Sequence, residues 1–381
     1  MTLAQNLPTA SFSYTFPAIR GVQASREYYV SMCPLRLLPK LFRFDDEELL
    51  PELRAQRTLN KGRIPEISRY LVENKKTYVF SAITASVDGD LYFEAIGQDN
   101  STSFRMGTLT VSMDARFIVN DGQHRRAAIE AALSEAPELG DETIAVVFFV
   151  DQGLQRCQQM FADLNRHAVK PSASIGVLYD HRNATARVAR HLSLTSHVFK
   201  GLIESERSTL SARSRKLFTL SALNFATSEL LTDKGLENFP SASQKSQKFW
   251  ELVSEQIPEW VFVREGKMTA GEVRRDFIHC HAIVLQALGR AGRALYEQCP
   301  DEVAQRIQRL RRVDWSRTNL QTWGGRAMLG GSMSKSGQNV TLTSNEIKRV
   351  LGLKLSSDEQ AAEDAHQAGR GETKSRTNKE S

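Results

Sequence analysis

The sequence predicts an α/β N-terminal domain built on a mixed sheet, followed by a mostly α-helical domain. Three observations carry this. Residues 12–33 and 78–119 are written as short β-branched and aromatic runs separated by turn residues. From Phe117 to Leu164 the period changes, giving strand, helix, strand, helix in the manner of an α/β unit. Beyond Pro171 the apolar spacing is helical almost throughout. The predicted organisation is an α/β domain over 1–171, a helical domain over 172–355 and a disordered tail over 356–381.

The elements follow in order. Residues 12–33 read as one or two strands, clearest at Tyr28–Met32. Asp46, Glu47 and Glu48 suit the first turn of a helix from Asp45 to Arg57, where the helix dipole favours acids. Asn60-Lys61-Gly62 is a turn, and Pro65 suits the start of a helix running to Asn74. Tyr78–Thr84 reads as a strand, with Asp88-Gly89-Asp90 as a hairpin turn into Leu91–Ile96. Leu109–Val111 and Phe117–Val119 are short strands, 123–135 an Ala-rich helix, Ile144–Val150 an apolar strand and Leu154–Leu164 a helix. Helices are expected over 173–199, 206–232, 244–256, 270–296 and 301–312. The glycine-rich stretch 324–337 reads as a mobile loop. Thr343-Ser344-Asn345-Glu346 has the capping-box pattern of a last helix closed by Gly352. The tail from 356 is too polar to pay for its own ordering.

At 381 residues, 41% hydrophobic and 25% charged, the chain has the composition of an ordinary globular protein, which excludes collagen-like and wholly disordered classes. No apolar run approaches the roughly 18 residues of a membrane span, and Met1–Tyr14 lacks the pattern of a secretory signal. Cys33, Cys157, Cys280 and Cys299 form no CxxC pair, which suits reduced thiols and a cytoplasmic location. Charge is uneven. Residues 1–200 hold 23 Lys+Arg against 22 Asp+Glu, whereas 201–355 hold 23 against 16. An anionic partner such as nucleic acid is compatible with that surplus.

One segment dominates the functional reading: Phe117-Ile118-Val119-Asn120-Asp121-Gly122-Gln123-His124-Arg125-Arg126. A strand runs through a two-residue turn into a helix, so backbone N–H groups and the positive helix end converge above the turn, as in an anion site. His124, Arg125 and Arg126 oppose the dipole there by roughly several tenths of a kcal/mol each, a conflict that a bound phosphate removes. His124 is placed to act as an acid or base, and Asp121 to orient it or hold a metal. The plain structural alternative makes Asp121 an N-cap, Gly122 a turn residue and the arginines salt-bridge partners.

Asp121-Gly122-Gln123-His124-Arg125 is the sequence that names the DGQHR-domain family of bacterial proteins, and the chain resembles that family over roughly residues 15–352. Gln56-Arg57 with Arg63-Ile64-Pro65-Glu66-Ile67-Ser68-Arg69-Tyr70-Leu71 is similar to the family's upstream helix. Phe161-Ala162-Asp163-Leu164-Asn165-Arg166, with Lys170-Pro171 behind it, is similar to its downstream F-x-x-L-N element. Within the family the chain most resembles the DndB group, encoded beside the enzymes that install phosphorothioate sulfur in the DNA backbone. That resemblance implies a DNA-binding transcriptional repressor of the modification genes. The DGQHR element also resembles the phosphate-binding corner of the ParB/sulfiredoxin-like fold, whose members bind or hydrolyse nucleotides. A phosphate pocket is thereby assigned to Asp121, Gly122, Gln123, His124, Arg125, Asn165 and Arg166, with Arg57 and Arg63 as additions. A right-handed crossover would bring the Asn165 end towards the corner.

Two basic stretches are candidate DNA contacts: Arg213, Arg215 and Lys216, and Arg309, Arg311 and Arg312. Trp315 and Trp323 near the second could stack bases, although a Trp of this kind more often anchors a helix. His279-Cys280-His281 lacks a second ligand pair at zinc spacing and reads as core helix, so no metal site is assigned. The leading function is thus a DNA-binding regulator acting on double-stranded DNA at its own promoter, with a roughly palindromic operator if the chain forms a homo-oligomer. Two alternatives stand beside it. One is a nucleoside triphosphate hydrolase or DNA-backbone enzyme using Asp121, His124 and Arg125, with a nucleotide as the only cofactor implied. The other is a scaffold for the DNA-modification enzymes.

Overall fold

Alternating burial along the N-terminal strands shows one sheet face packed on a core. In the computed structural model, which describes residues 12–42, 61–97, 102–150, 159–160, 163–164, 171–334 and 336–377, the chain divides into two compact units, Met1–Val169 and Lys170–Ser381.

The first unit contains β1 (Ser13–Gln23), β2 (Arg26–Pro34), α1 (Leu38–Leu41), α2 (Ile64–Glu73), β3 (Ile83–Asp88), β4 (Leu91–Ala95), β5 (Met106–Ser112), β6 (Arg116–Asp121), α3 (Gln123–Glu135) and β7 (Thr143–Val150). Its seven strands form one mixed sheet in the order β4-β5-β1-β2-β7-β3-β6, with β3 parallel to β7 and the other pairs antiparallel. The α/β expectation therefore holds, but two local readings do not. Asp88-Gly89-Asp90 is no hairpin turn: β3 pairs with β6 and β4 with β5, so the two strands it joins lie near opposite ends of the order. The pairings Asp88↔Arg116 and Leu91↔Val111 make β3-β4 and β5-β6 one bent ribbon that curls the sheet back towards itself. The bend needs glycine, because Gly89 has φ +146° and a Cβ there would lie 2.7 Å from that of Ala115. The strand predicted from Tyr78 starts only at Ile83. Side-chain bonds replace the ladder before it: Tyr78 donates to Glu142, and the Val79 amide donates to the Tyr70 hydroxyl at 3.0 Å.

Helix α3 closes one face of this sheet. Its Ile129 and Ala132 are buried with Ile83, Ala85, Val146 and Phe148; each large apolar side chain so buried contributes roughly 1.5–3 kcal/mol. The helix predicted over Asp45–Arg57 lies outside the described residues, as does most of Leu154–Leu164, of which 159–160 and 163–164 are helical.

The second unit contains α4 (Ala173–Tyr179), α5 (Ala184–Thr195), β8 (Ile203–Glu204), β9 (Phe218–Thr219), α6 (Leu220–Leu230), α7 (Asp233–Leu236), α8 (Phe239–Ser254), α9 (Pro258–Arg264), α10 (Ala270–Asp276), α11 (Ala282–Gln298), α12 (Val303–Ile307), α13 (Leu320–Trp323), β10 (Met328–Leu329), β11 (Ser332–Met333), α14 (Gly337–Leu351) and α15 (Ser357–Thr377). Its core gathers Trp250, Trp260, Trp323, Phe199, Phe218 and Phe249. Helices α6 and α11 cross closely at Gly289, where a Cβ would lie 2.2 Å from the Ala226 carbonyl oxygen.

The predicted helices are broken where side chains capture the backbone. The span 173–199 breaks before Asn183, whose side chain caps α5 by accepting from the Ala186 amide. Of 206–232 only Leu220–Leu230 is α-helical before the separate turn α7, since the carbonyls of Ser211, Ala212, Ser214 and Lys216 accept from Arg274. The span 270–296 breaks at Phe277–His281, where Phe277 bridges to Ser316 and the Ile278 amide donates to Trp315. The expected mobile loop 324–337 is instead the β10–β11 hairpin, turned on Gly330 and Gly331 at positive φ, with Arg326, Ala327 and Met328 buried. Helix α14 starts from a Ser336 cap, so Thr343–Glu346 lie inside it, and Gly352 closes it at φ +72° as expected. The tail expected to be disordered is helical from Ser357 to Thr377. Glu363 is fully buried there against Arg326, an ion pair that polar composition alone does not foretell.

Candidate functional site

Strand β6 enters α3 through Gly122 alone. Its φ of +102° lies in the left-handed region, and a Cβ would meet Ile83 Cγ1 at 3.0 Å. Gly122 itself occupies the N-cap position, so Asp121 is not the cap; α3 has no side-chain cap and no acid in its first turn. The positive end of the helix is thus not offset by a side-chain cap or a first-turn acid, which suits an anion.

Asp121 is held instead by Arg125, whose Nη2 lies 2.7 Å from Asp121 Oδ2. The guanidinium is folded down on the turn, and the carboxylate is half exposed. Gln123 turns inward, its Nε2 donating to the Val119 carbonyl at 3.1 Å. Arg126 is buried and bonded to Glu130 and to the Pro39 carbonyl. Asn120, also buried, donates to Ser86 Oγ at 2.7 Å. Gln123, Arg126 and Asn120 therefore serve the frame. His124 is partly exposed, and burial followed by the charge of Arg63 holds its imidazole below the ordinary range. Arg63 comes from the 3-10 turn Lys61–Arg63 that leads into α2.

The corner thus brings together His124, Arg125, Arg63 and the open end of α3, with Asp121 committed to Arg125. This arrangement can hold an anion, and it keeps His124 neutral near pH 7, able to accept a proton. Asp121 is not free to bind a metal while Arg125 occupies it. Asn165, Arg166 and Arg57 lie outside the described residues. The crossover from which the approach of Asn165 was expected is absent, since β6 and β7 run antiparallel through β3.

The first basic run is a pinned loop. Arg274 of α10 donates to the carbonyls of Ser211 (2.8 Å), Ala212 (3.2 Å), Ser214 (3.1 Å) and Lys216, fixing the turn. Arg213 and Arg215 stand exposed on it, while Lys216 is half-buried and donates to the Gly201 carbonyl at 2.8 Å. Nothing in the sequence marked Arg274; its role appears only when the loop and the helix meet. In the second stretch Arg309 joins Arg306 on the Leu351 carbonyl, capping α14, and Arg311 and Arg312 are exposed. Trp315 and Trp323 are buried and stacked, with centroids 5.2 Å apart, so the base-stacking role is corrected to a core one. His279 and His281 point apart: His279 Nδ1 accepts from Trp260 Nε1 at 3.0 Å, and His281 Nε2 lies 3.0 Å from the Arg274 carbonyl oxygen.

No helix of the described residues is long and apolar enough to cross a membrane. No curated protein and no solved structure matches the chain. A family model does: DndB, DNA-sulfur modification-associated, over residues 16–354. The span includes the DGQHR corner and both basic stretches, and the chain belongs to the DndB family of proteins associated with the sulfur modification of DNA.

Proposed function

We propose that this chain is a DNA-binding regulator of a DNA sulfur modification system, repressing the modification genes by occupying their promoter. The observation that carries the reading is the pinned loop. Arg213 and Arg215 stand exposed on a backbone that Arg274 holds through neutral carbonyls, within the region of 23 Lys+Arg against 16 Asp+Glu. A held loop loses little conformational entropy when it meets a phosphate backbone. Arg311 and Arg312 are likewise exposed in the second unit, and in the first unit the end of α3 beside His124 and Arg63 suits a phosphate in its own right.

Fluorescence anisotropy on the upstream duplex and on a scrambled duplex tests this at low and near-physiological salt. Tight binding to the upstream duplex alone, surviving the higher salt, is expected. Replacing both Arg213 and Arg215 by Ala should weaken binding to both duplexes and flatten the log–log salt slope by about 2, one counterion per lost contact. An unchanged slope removes this loop from the interface.

A specific observation supports a second reading. His124 is held neutral beside Arg63 at an uncapped helix end, which suits a general base acting on a bound nucleotide. Steady nucleoside triphosphate turnover that His124→Ala abolishes while the fold survives would favour the enzyme.

A further inference from the structure

A cleft of about 440 Å3 opens in the second unit between residues 208–212, the start of α6, α10 and the first turn of α11. That size is within the roughly 300–1,000 Å3 of small-molecule sites. One wall is apolar, from Phe218, Ile283 and Met333; Ser208, Thr209 and Arg274 bring polar groups, and no lining residue is a carboxylate.

The charge of this cleft is unbalanced. Arg274 is bonded to four backbone carbonyls, and among the described residues no carboxylate pairs with it. Arg317, whose charge reaches His281 and Cys280, donates to the Gly331 carbonyl at 3.1 Å and likewise has no carboxylate partner among the described residues. Arg275 differs, being doubly bonded to Asp276. Helix α11 adds its positive end, since His281 gives no side-chain cap and Ala282 and Ile283 line the cleft. Part-buried cations with only neutral acceptors favour an anion that desolvates with them.

The cleft is also continuous with the cationic loop. Ala212 lines it, and the Ala212 carbonyl both accepts from Arg274 and lies where a Cβ on Gly271 would approach to 2.6 Å. We propose that this cleft binds a small organic anion, a phosphate or carboxylate head on a ring-sized apolar body, and that the bound anion stiffens the 208–216 segment through Arg274. The site itself stands independently of the DNA-binding reading; only the consequence for the exposed arginines rests on it.

Calorimetric titration of the full chain with adenosine 5′-monophosphate, benzoate, adenosine and inorganic phosphate tests the site. One-to-one binding of the monophosphate or of benzoate is expected, the better of the two identifying the head group. Adenosine and phosphate alone should each bind at least about tenfold more weakly, because each lacks half of the recognition. Arg274→Gln should cost at least as much. Since that change also frees the loop, Ala282→Trp, which plugs the exposed rim, is the second variant and should abolish binding. Failure of both anions to bind, or equal binding by Ala282→Trp, overturns the site. Hydrogen exchange at 208–216 should slow with anion bound; unchanged exchange overturns the coupling. Anisotropy with DNA on the same samples separates the readings: anion binding without any DNA binding strikes the regulator alone.

Discussion

Replacing Glu363 by Gln should cost the second unit about 3 kcal/mol. Glu363 is fully buried and accepts from Arg326 through both oxygens, at 2.6 and 2.7 Å. Arg349 Nη1 lies 2.9 Å away, and Asn345 donates at 3.2 Å. Burial raises this carboxyl's pKa, but the bonds and charges of Arg326, Asn345 and Arg349 outweigh it, and the group is held below the usual carboxylate range. Gln keeps the shape and one acceptor but leaves Arg326 buried with the Leu342 carbonyl and a Glu346 carboxylate 3.8 Å away. Breaking one side of a buried pair costs about 3–5 kcal/mol, and the retained acceptor places this case at the low end. All four tryptophans, Trp250, Trp260, Trp315 and Trp323, lie in the second unit, so tryptophan fluorescence in urea reads this unit alone. Because the folded-state pKa is depressed, the stabilisation is fully present above the unfolded carboxyl value and is lost as pH falls through the lower, folded one. The difference between wild type and variant should therefore shrink on acidification. A loss below about 1 kcal/mol at pH 7 would refute the ion-pair account of how α15 is held.

Two further perturbations probe the corner and the cleft wall. Gly122→Ala should destabilise the first unit by about 2 kcal/mol, from left-handed strain and the close Ile83 contact, read as a lower melting temperature by circular dichroism. Burial, with the Arg317, His279 and Arg274 charges, holds His281 at a pKa of about 4. The unfolded chain therefore takes a proton first as pH falls from about 6.5. His281 by itself should lower the stability of the second unit by about 2 kcal/mol between pH 7 and pH 5, and His281→Gln should be less pH-dependent than wild type by that amount, the buried His279 keeping its own share.

Legibility in the sequence followed the range of the interactions. Helix α3 and strand β7 were read almost to their ends because local apolar spacing decides them. The Gly122 turn was equally legible, since only its own backbone demands it. The bend at Gly89 was misread because Asp-Gly-Asp looks the same whether the flanking strands pair with each other or with partners farther along the chain. The breaks at 205–217 and 277–281 escaped for a related reason: Arg274 and Trp315 stabilise non-helical backbone from a distance, and local periodicity carries no trace of it. Within the corner, sequence spacing placed His124 at the helix start. It did not show that Asp121 would be taken by Arg125, or that Arg63 would reach His124.

The surplus of arginine has a consequence that depends on what each guanidinium is bonded to. Arg326 and Arg290 meet carboxylates, and their charge is cancelled where it stands. Arg264, Arg274, Arg293 and Arg317 meet backbone carbonyls instead, at His197, around Ser211–Lys216, at Ser228 and at Gly331. A carbonyl fixes the position of a guanidinium without neutralising it, so these residues are both ordered and still cationic. On the loop that Arg274 holds, Arg213 and Arg215 are exposed, so their local field includes an immobile charge. A polyanion meeting such a surface pays less in side-chain entropy than it would on lysines of equal number. Charge held by neutral acceptors is retained rather than cancelled, and the proposed binding of DNA rests in the second unit on that retained charge.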